Sequence, residues 1–130
     1  EKDKKNLKEN NSKEKKFINK DYNIIEKIIY FDFNKYTISD ENKLDIKKYL
    51  TDKNYTQYLI IGHADTFGTK EYNYELSKAR ALSVKEILIN FGVNIDKIRI
   101  HSKGENDLAI LTPDETKHPA NRRAVIKPSY

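Results

Sequence analysis

The 130-residue sequence contains no cysteine, which excludes disulfides, thiolate catalysis and cysteine-ligated metals. No run approaches the roughly 20 apolar residues that a membrane-spanning helix needs, and the polar residues 1–11 do not resemble a signal peptide. The sequence also lacks histidines at metal-ligand spacing, glycine-rich phosphate loops and a recognisable catalytic triad. We therefore expect a domain that is not an enzyme and that uses neither a metal nor a cofactor.

Positive charge is concentrated at the start of the chain. The sequence has 25 Lys and Arg against 20 Asp and Glu, a net charge of +5. Residues 1–20 hold eight lysines and four acids, which accounts for +4 of that excess. Because Leu7 is the only apolar residue before Phe17, we expect residues 1–22 to be a disordered Lys-rich tether and residues 23–130 to be the folded domain. The alternative is a basic interaction module, in which the tail binds nucleic acid or another polyanion. We favour the tether and expect no nucleic-acid partner.

Strand and helix patterns alternate in the rest of the chain. Apolar runs at 28–33, 58–61, 98–101 and 124–126 predict four strands, the last ending before Pro128. Capping and apolar spacing predict helices over 40–52 and 70–91. The order β-α-β-α-β-β predicts an α/β (α+β) sandwich, with both helices on one face of a mixed four-stranded sheet. A loop of about 19 residues precedes the last strand, and loops of that length are often functional.

Arginine is scarce, with four against 21 lysines, and one of the four falls among apolar side chains. At 100° per residue, Arg80 lies about 40° from Leu76, on the apolar stripe expected to face the sheet, which also holds Tyr72, Val84, Ile87 and Phe91. A buried guanidinium needs an anionic partner, and Asp65 in the preceding loop is the candidate. Spacing leaves two interpretations open. The two charges form a structural ion pair, or each binds the opposite end of a zwitterionic ligand.

Four segments, in order, resemble the signature of one family. Residues 30–36 read YFDFNKY, residues 62–68 GHADTFG, residues 71–81 EYNYELSKARA and residues 121–125 NRRAV. They resemble the Y-F-D-F-D, G-H-T-D-x-x-G, N-x-x-L-S-x-x-R-A and N-R-R-x-V motifs of OmpA-like peptidoglycan-binding domains. The resemblance covers residues 28–127, and within the family it favours the peptidoglycan-associated lipoproteins (Pal).

The resemblance implies non-catalytic, non-covalent binding of peptidoglycan through the meso-diaminopimelate residue of its stem peptide. Asp65 would bind the ammonium of that residue and Arg80 its carboxylate, a task that suits a guanidinium fork better than a lysine. This favours the ligand interpretation over the ion pair. The other ligand-binding residues that it implies are Asn73 and Leu76 in the same groove, Asn34 and Phe33 after the first strand, and Arg122 or Arg123 near the rim.

The resemblance also implies a cellular setting. We expect a monomeric domain at the periplasmic face of the outer membrane of a Gram-negative bacterium, tethering that membrane to the cell wall. As in the Tol-Pal system of cell division, TolB is a candidate partner. Lipoproteins of this type begin with a lipidated cysteine. The chain has none, so we expect the lipid anchor to belong to the full-length precursor, and membrane contact to occur only through it.

Overall fold

A five-stranded sheet is the frame of the computed structural model, which describes residues 14–18 and 23–130. Its spatial order is β1-β2-β5-β3-β4. The β3–β4 pair is parallel, and the other neighbouring pairs are antiparallel. Strands β2 to β5 form the predicted mixed sheet, to which β1 adds an edge strand. The strands are β1 (Glu14–Ile18), β2 (Asn23–Tyr30), β3 (Gln57–Gly62), β4 (Ile98–Ser102) and β5 (Arg123–Ser129).

The edge strand β1 lies inside the segment predicted to be a disordered tether. It pairs with β2 from Glu14 opposite Lys27 to Ile18 opposite Asn23. The expectation of disorder came from the missing apolar periodicity, but an edge strand pairs its backbone groups with a neighbour whatever its side chains are. The sheet therefore begins at residue 14 instead of 23. Residues 1–13 and 19–22 lie outside the described residues, and the tether stays a prediction there.

Strand β5 also runs further than the sequence predicted. It continues through Pro128, which lies opposite Tyr58 of β3, so the expected end before this proline was wrong. Pairing with β2 stops at Lys27 and Ile126. Beyond that point β5 has a strand on one side only, and a proline is tolerated there as it is on an edge strand.

Two helices, α1 (Asp40–Asp52) and α2 (Lys70–Asn90), pack on the same face of the sheet, as predicted. Ser39 caps α1 by accepting a hydrogen bond from the Asn42 amide, at 3.1 Å. Thr69 caps α2 in the same way. Gly92, with a φ of 100°, follows the C-cap of α2 in the left-handed conformation that ends many helices. Among the described residues, neither helix is long and apolar enough to cross a membrane.

Small residues bring α2 close to β3. A Cβ on Gly62 would lie 1.8 Å from the Ser77 carbonyl oxygen, so only glycine fits at the end of this strand. Ser77 and Ala81 are fully buried, whereas Tyr72 and Phe91, which we placed on the sheet-facing stripe, are 50% and 38% exposed. The contact is thus centred on the small residues of α2. The core beside it comprises Ile29, Phe31, Ile46, Tyr49, Tyr55, Tyr58, Ile60, Val84, Leu88 and Ile126.

Candidate functional site

Arg80 is completely buried and is held by backbone carbonyls. Its Nε donates to Lys35 O at 2.9 Å, its Nη1 to His63 O at 3.0 Å and its Nη2 to Asp32 O at 3.3 Å. The ring of Phe31 lies 5.3 Å from its Cζ. No carboxylate among the described residues forms an ion pair with this guanidinium. The carbonyls fix its position but leave its charge without a contacting counter-ion.

The charge of Arg80 persists in spite of its burial. Burial lowers the pKa of Arg80 to about 10, while the nearby charge of Asp65 raises this pKa and that of Arg122 lowers it. A pKa near 10 keeps the guanidinium protonated at neutral pH. The site therefore contains a permanent cation, at a depth where anions are attracted strongly.

Asp65 takes a different partner from the one that the sequence suggested. Its Oδ2 accepts hydrogen bonds from Arg122 Nη1, at 3.3 Å, and from the His118 amide, at 3.1 Å. Its Oδ1 accepts one from the Phe67 amide, at 3.3 Å. The structural ion pair between Asp65 and Arg80, one of the two interpretations above, does not form.

The long loop before β5 is fastened close to Asp65. The Thr66 hydroxyl donates to Pro113 O, at 2.6 Å, and accepts from the Thr116 amide, at 3.1 Å. The buried Asn121 side chain exchanges two hydrogen bonds of 2.9 Å with the backbone of Ile110. These contacts hold the middle of the loop at residues 110–116, next to the His118 amide that binds Asp65.

A cavity of about 430 Å³ opens beside Asp65 and Arg80. It brings together six of the eight ligand-binding residues expected from the sequence, which are Phe33, Asn34, Asp65, Asn73, Leu76 and Arg80. Phe67, Gly68 and Tyr72 complete the lining. Nowhere in residues 14–18 and 23–130 do three His, Asp or Glu side chains gather as metal ligands would. The cavity thus combines separated charges of both signs with apolar walls.

The remaining two predicted residues, Arg122 and Arg123, lie on opposite faces of the sheet. Arg122 reaches the site indirectly, by binding Asp65 and by donating its Nε to Phe31 O at 3.0 Å. Arg123 points away from the helices and donates its Nη2 to Asp107 O at 3.3 Å. Successive residues of a strand point to opposite faces, so one NRR segment cannot bring both arginines to one rim. Placing Arg123 at this site was wrong.

Polar contacts shape the floor and one wall of the cavity. The buried Asn73 side chain donates to Glu105 Oε1, at 2.9 Å. The Tyr72 hydroxyl donates to Asn34 Oδ1. Asn34 has a φ of 58°, in the left-handed region that asparagine tolerates better than most residues. The Asn73 bond joins the first turn of α2 to the loop after β4, and the Tyr72 bond joins it to the loop after β2.

An aromatic pair with a lysine lies at the mouth of the cavity. The rings of Phe33 and Phe67 meet edge to face, with centroids 5.4 Å apart. Lys117 Nζ lies 4.2 Å from the first centroid and 4.7 Å from the second. Phe67 could have been found as an aromatic residue in an otherwise polar loop. Lys117 could not have been predicted, because nothing distinguishes it from the other lysines of so lysine-rich a chain.

Most of the chain matches a known protein family. The model of the OmpA family matches residues 30–122. The chain belongs to the OmpA family. Over 101 residues it is 40% identical to the peptidoglycan-associated lipoprotein of Haemophilus influenzae, a match that covers 75% of this chain and 66% of the relative. The corresponding protein of Pasteurella multocida is 38% identical, with 75% and 67% covered. The match thus spans about two thirds of the length of these relatives.

Solved structures agree with this assignment to the OmpA family. The peptidoglycan-associated lipoprotein from Burkholderia pseudomallei superposes with a TM-score of 0.68 at 31% identity, covering 78% of this chain and 89% of that one. The OmpA-like domain of FopA1 from Francisella tularensis gives a TM-score of 0.72 at 22% identity, with 90% and 83% covered. The second match shows the fold alone. The family resemblance inferred from the four short segments is confirmed.

Proposed function

We propose that this domain binds peptidoglycan non-covalently, through the meso-diaminopimelate residue of the stem peptide. The side chain of that residue ends in a carbon that carries both an ammonium and a carboxylate. The observation that carries the proposal is that Asp65 and Arg80 line one cavity without pairing with each other. The name of the relatives, peptidoglycan-associated lipoprotein, supports peptidoglycan as the polymer that is bound.

Arg80 is the group proposed to bind the ligand carboxylate. A guanidinium has five N–H groups, and the contacts among the described residues use three of them. Two remain for the carboxylate. Because the carbonyls already hold the guanidinium in place, binding requires little further ordering of its side chain. A lysine would offer a point charge instead of a fork.

Asp65 is the group proposed to bind the ligand ammonium. A carboxylate has about four lone-pair positions, and the Phe67 amide, the His118 amide and Arg122 occupy three. One position remains for an ammonium N–H. The three donors also fix the direction in which the free position points.

The apolar walls suit the rest of the diaminopimelate side chain. Leu76, Phe33 and Phe67 line the cavity between the two charged ends, where the methylene groups of the ligand would lie. Lys117 stands at the mouth over both rings. It is placed to attract another carboxylate of the same stem peptide.

The cellular role follows from the ligand. A domain that binds the wall without catalysis can tether the outer membrane to it from the periplasmic face, acting as a monomer. A lipid anchor of the full-length precursor would hold the other end, and TolB is a candidate partner. Binding of a polyanion by the basic tail stays a prediction, because residues 1–13 lie outside the described residues.

A titration of the ¹⁵N-labelled chain followed by NMR tests the ligand and the site together. The probe is a muropeptide with meso-diaminopimelate, and its matched control is the lysine-type muropeptide, which lacks the terminal carboxylate. We expect shifts at residues 33–34 and 65–80, with the lysine-type probe bound at least tenfold more weakly, because Arg80 then has no partner. Equal affinities, or shifts elsewhere only, would overturn the proposal.

Conservative variants separate the two ends of the ligand. Arg80→Lys and Asp65→Asn should each weaken sedimentation with purified peptidoglycan at least tenfold. Arg99→Lys, on the exposed side of β4, and Asp114→Asn, in the exposed loop, are the matched controls. Deleting residues 1–13 leaves β1 in place and should not change wall binding. Loss of wall binding on that deletion would assign the function to the tail instead.

A further inference from the structure

A second cavity lies on the face of the sheet that points away from the helices. Its volume is about 380 Å³, within the range of small-molecule sites. It shares no lining residue with the cavity that holds Asp65 and Arg80. Alternate residues of β2 and β5 form its floor, and the loop after β4 forms one wall. Among the residues that line it are Glu26, His63, Asp107, Arg123, Val125 and Lys127.

Arg123 brings to this second cavity a buried cation that forms no ion pair with any carboxylate of the described residues. It is 9% exposed, and its Nη1 is buried without a hydrogen-bond partner among the described residues. The two carboxylates of the cavity have lysine partners, at 3.9 Å for Glu26 with Lys127 and 3.3 Å for Asp107 with Lys103. In the described part of the chain, the hydrogen-bond partner of Arg123 is the Asp107 carbonyl, at 3.3 Å. An anionic group is what would complete its contacts.

His63 supplies a buried acceptor beside that charge. The residue is 2% exposed, and burial, followed by the charge of Arg123, lowers its pKa to about 4, so its ring is neutral at pH 7. The Asp107 backbone lies near the ring and raises this pKa slightly, and Nδ1 is buried without a partner in the described part of the chain. A neutral imidazole has one donor and one acceptor nitrogen. In the tautomer with its proton on Nε2, the unpartnered Nδ1 is able to accept a hydrogen bond.

We propose that the second cavity binds a carboxylate with a neighbouring N–H, as found in an N-acylated amino acid or at the C-terminus of a peptide. The carboxylate accepts from Arg123 Nη1, and the amide N–H donates to His63 Nδ1. Ile28, Ile61 and Val125 contact the side chain of the ligand. A phosphate dianion fits less well, because the Glu26 and Asp107 carboxylates lie in the same cavity. A neutral sugar would leave the arginine charge unpaired.

Titration of the whole chain with N-acetylalanine tests this site. The matched probe is N-acetylalaninamide, which has the same shape and amide N–H but no carboxylate. We expect shifts at His63 and at residues 107–109 and 123–127, with the amide probe bound at least tenfold more weakly. Equal binding of both probes, or no shifts in this cavity up to the solubility limit, would overturn the proposal.

Variants assign that binding to the second cavity. Arg123→Lys should weaken N-acetylalanine binding at least tenfold, whereas Arg80→Lys should change it less than twofold, because Arg80 belongs to the other site. If Arg123→Lys does not fold, the ¹⁵N resonances of the His63 ring are measured in the unmodified chain instead. The Nδ1 resonance should move on binding while Nε2 keeps its proton. An unmoved Nδ1 resonance, or loss of binding in Arg80→Lys, would refute the assignment.

Discussion

Arg122 binds the carboxylate of Asp65 at 3.3 Å, while Arg80, which lines the same cavity, donates its hydrogen bonds among the described residues to backbone carbonyls. The two arginines thus have different tasks. Arg122 neutralises and orients the buried Asp65, whereas the charge of Arg80 stays without a contacting carboxylate among the described residues. This division would leave Asp65 and Arg80 as the two ends of the proposed site, which a direct pair between them would have closed.

Replacing Arg122 with Met should destabilise the fold. The change leaves Asp65 buried without its cation, and it removes the hydrogen bond from Arg122 Nε to Phe31 O. We expect the free energy of unfolding to fall by about 3 kcal/mol, measured by urea denaturation. Lys43→Met is the control, since Lys43 pairs with the exposed Asp40 at 3.9 Å and should contribute nothing measurable. Equal stabilities of the two variants would contradict the role of Arg122.

Stability should fall as the pH drops below neutral, because of His63. Its pKa is about 4 in the folded chain, against 6.5 as the ordinary value, so the unfolded chain takes up the proton first. The contribution of His63 to the free energy of unfolding is fully present above pH 6.5. Between pH 6.5 and 4 the free energy of unfolding falls by about 3 kcal/mol as this contribution is lost. His63→Gln should flatten this part of the stability profile, measured by urea denaturation at each pH. Parallel profiles for the two proteins would contradict the assignment.

Gly62→Ala should prevent close packing of α2 on β3. The new Cβ would lie 1.8 Å from the Ser77 carbonyl oxygen, and backbone atoms cannot move aside cheaply. We expect a loss of more than about 3 kcal/mol in unfolding free energy, or failure to fold. A Cβ on Gly92 would have no atom within 4 Å. Gly92→Ala should therefore lose only about 1 kcal/mol, because alanine is strained at a φ of 100°. Thermal denaturation followed by circular dichroism ranks the two, and the reverse order would refute the argument.

The aromatic rim should affect affinity without affecting the fold. Phe67 is 39% exposed and lines the cavity, so Phe67→Ala should weaken binding of the diaminopimelate muropeptide about threefold to tenfold by removing apolar contact. Lys117→Met should leave the melting temperature unchanged and reduce the dependence of binding on salt, because one exposed cation is lost. Calorimetric titrations at two salt concentrations measure both effects. An unchanged salt dependence in Lys117→Met would remove Lys117 from the site.

The sequence predicted where Arg80 points but not what it touches. Helical periodicity is a local property, so counting 100° per residue was enough to place Arg80 on the buried side of α2. Its partners are carbonyls of Asp32, Lys35 and His63. Every residue has a carbonyl, so its type gives no sign of such a role. The Asp65–Arg122 pair was missed because it depends on how the loop before β5 folds back.

The limits of the helix and strand predictions have similar physical causes. Strand β1 was missed because backbone pairing at a sheet edge leaves no required side-chain pattern. Tyr72 was placed on the sheet-facing stripe because the helical pattern considers hydrophobicity and not side-chain size. The contact of Gly62 with Ser77 shows that the close approach of α2 to β3 requires small residues. The second cavity could not be predicted, because its lining depends on the register of β2 against β5 and local sequence patterns do not contain that register.

The pairing of β1 with β2 also determines how the proposed tether would carry tension. A pull on the N-terminal side, with the domain held at the wall, reaches the sheet first at Glu14, whose partner Lys27 lies at the far end of the hairpin ladder from Ile18. The ladder would then open rung by rung, and the five residues of β1 would lengthen the link by about 17 Å before the core bears load. Strand β1 would act as a mechanical buffer that yields while the wall-binding cavity stays intact.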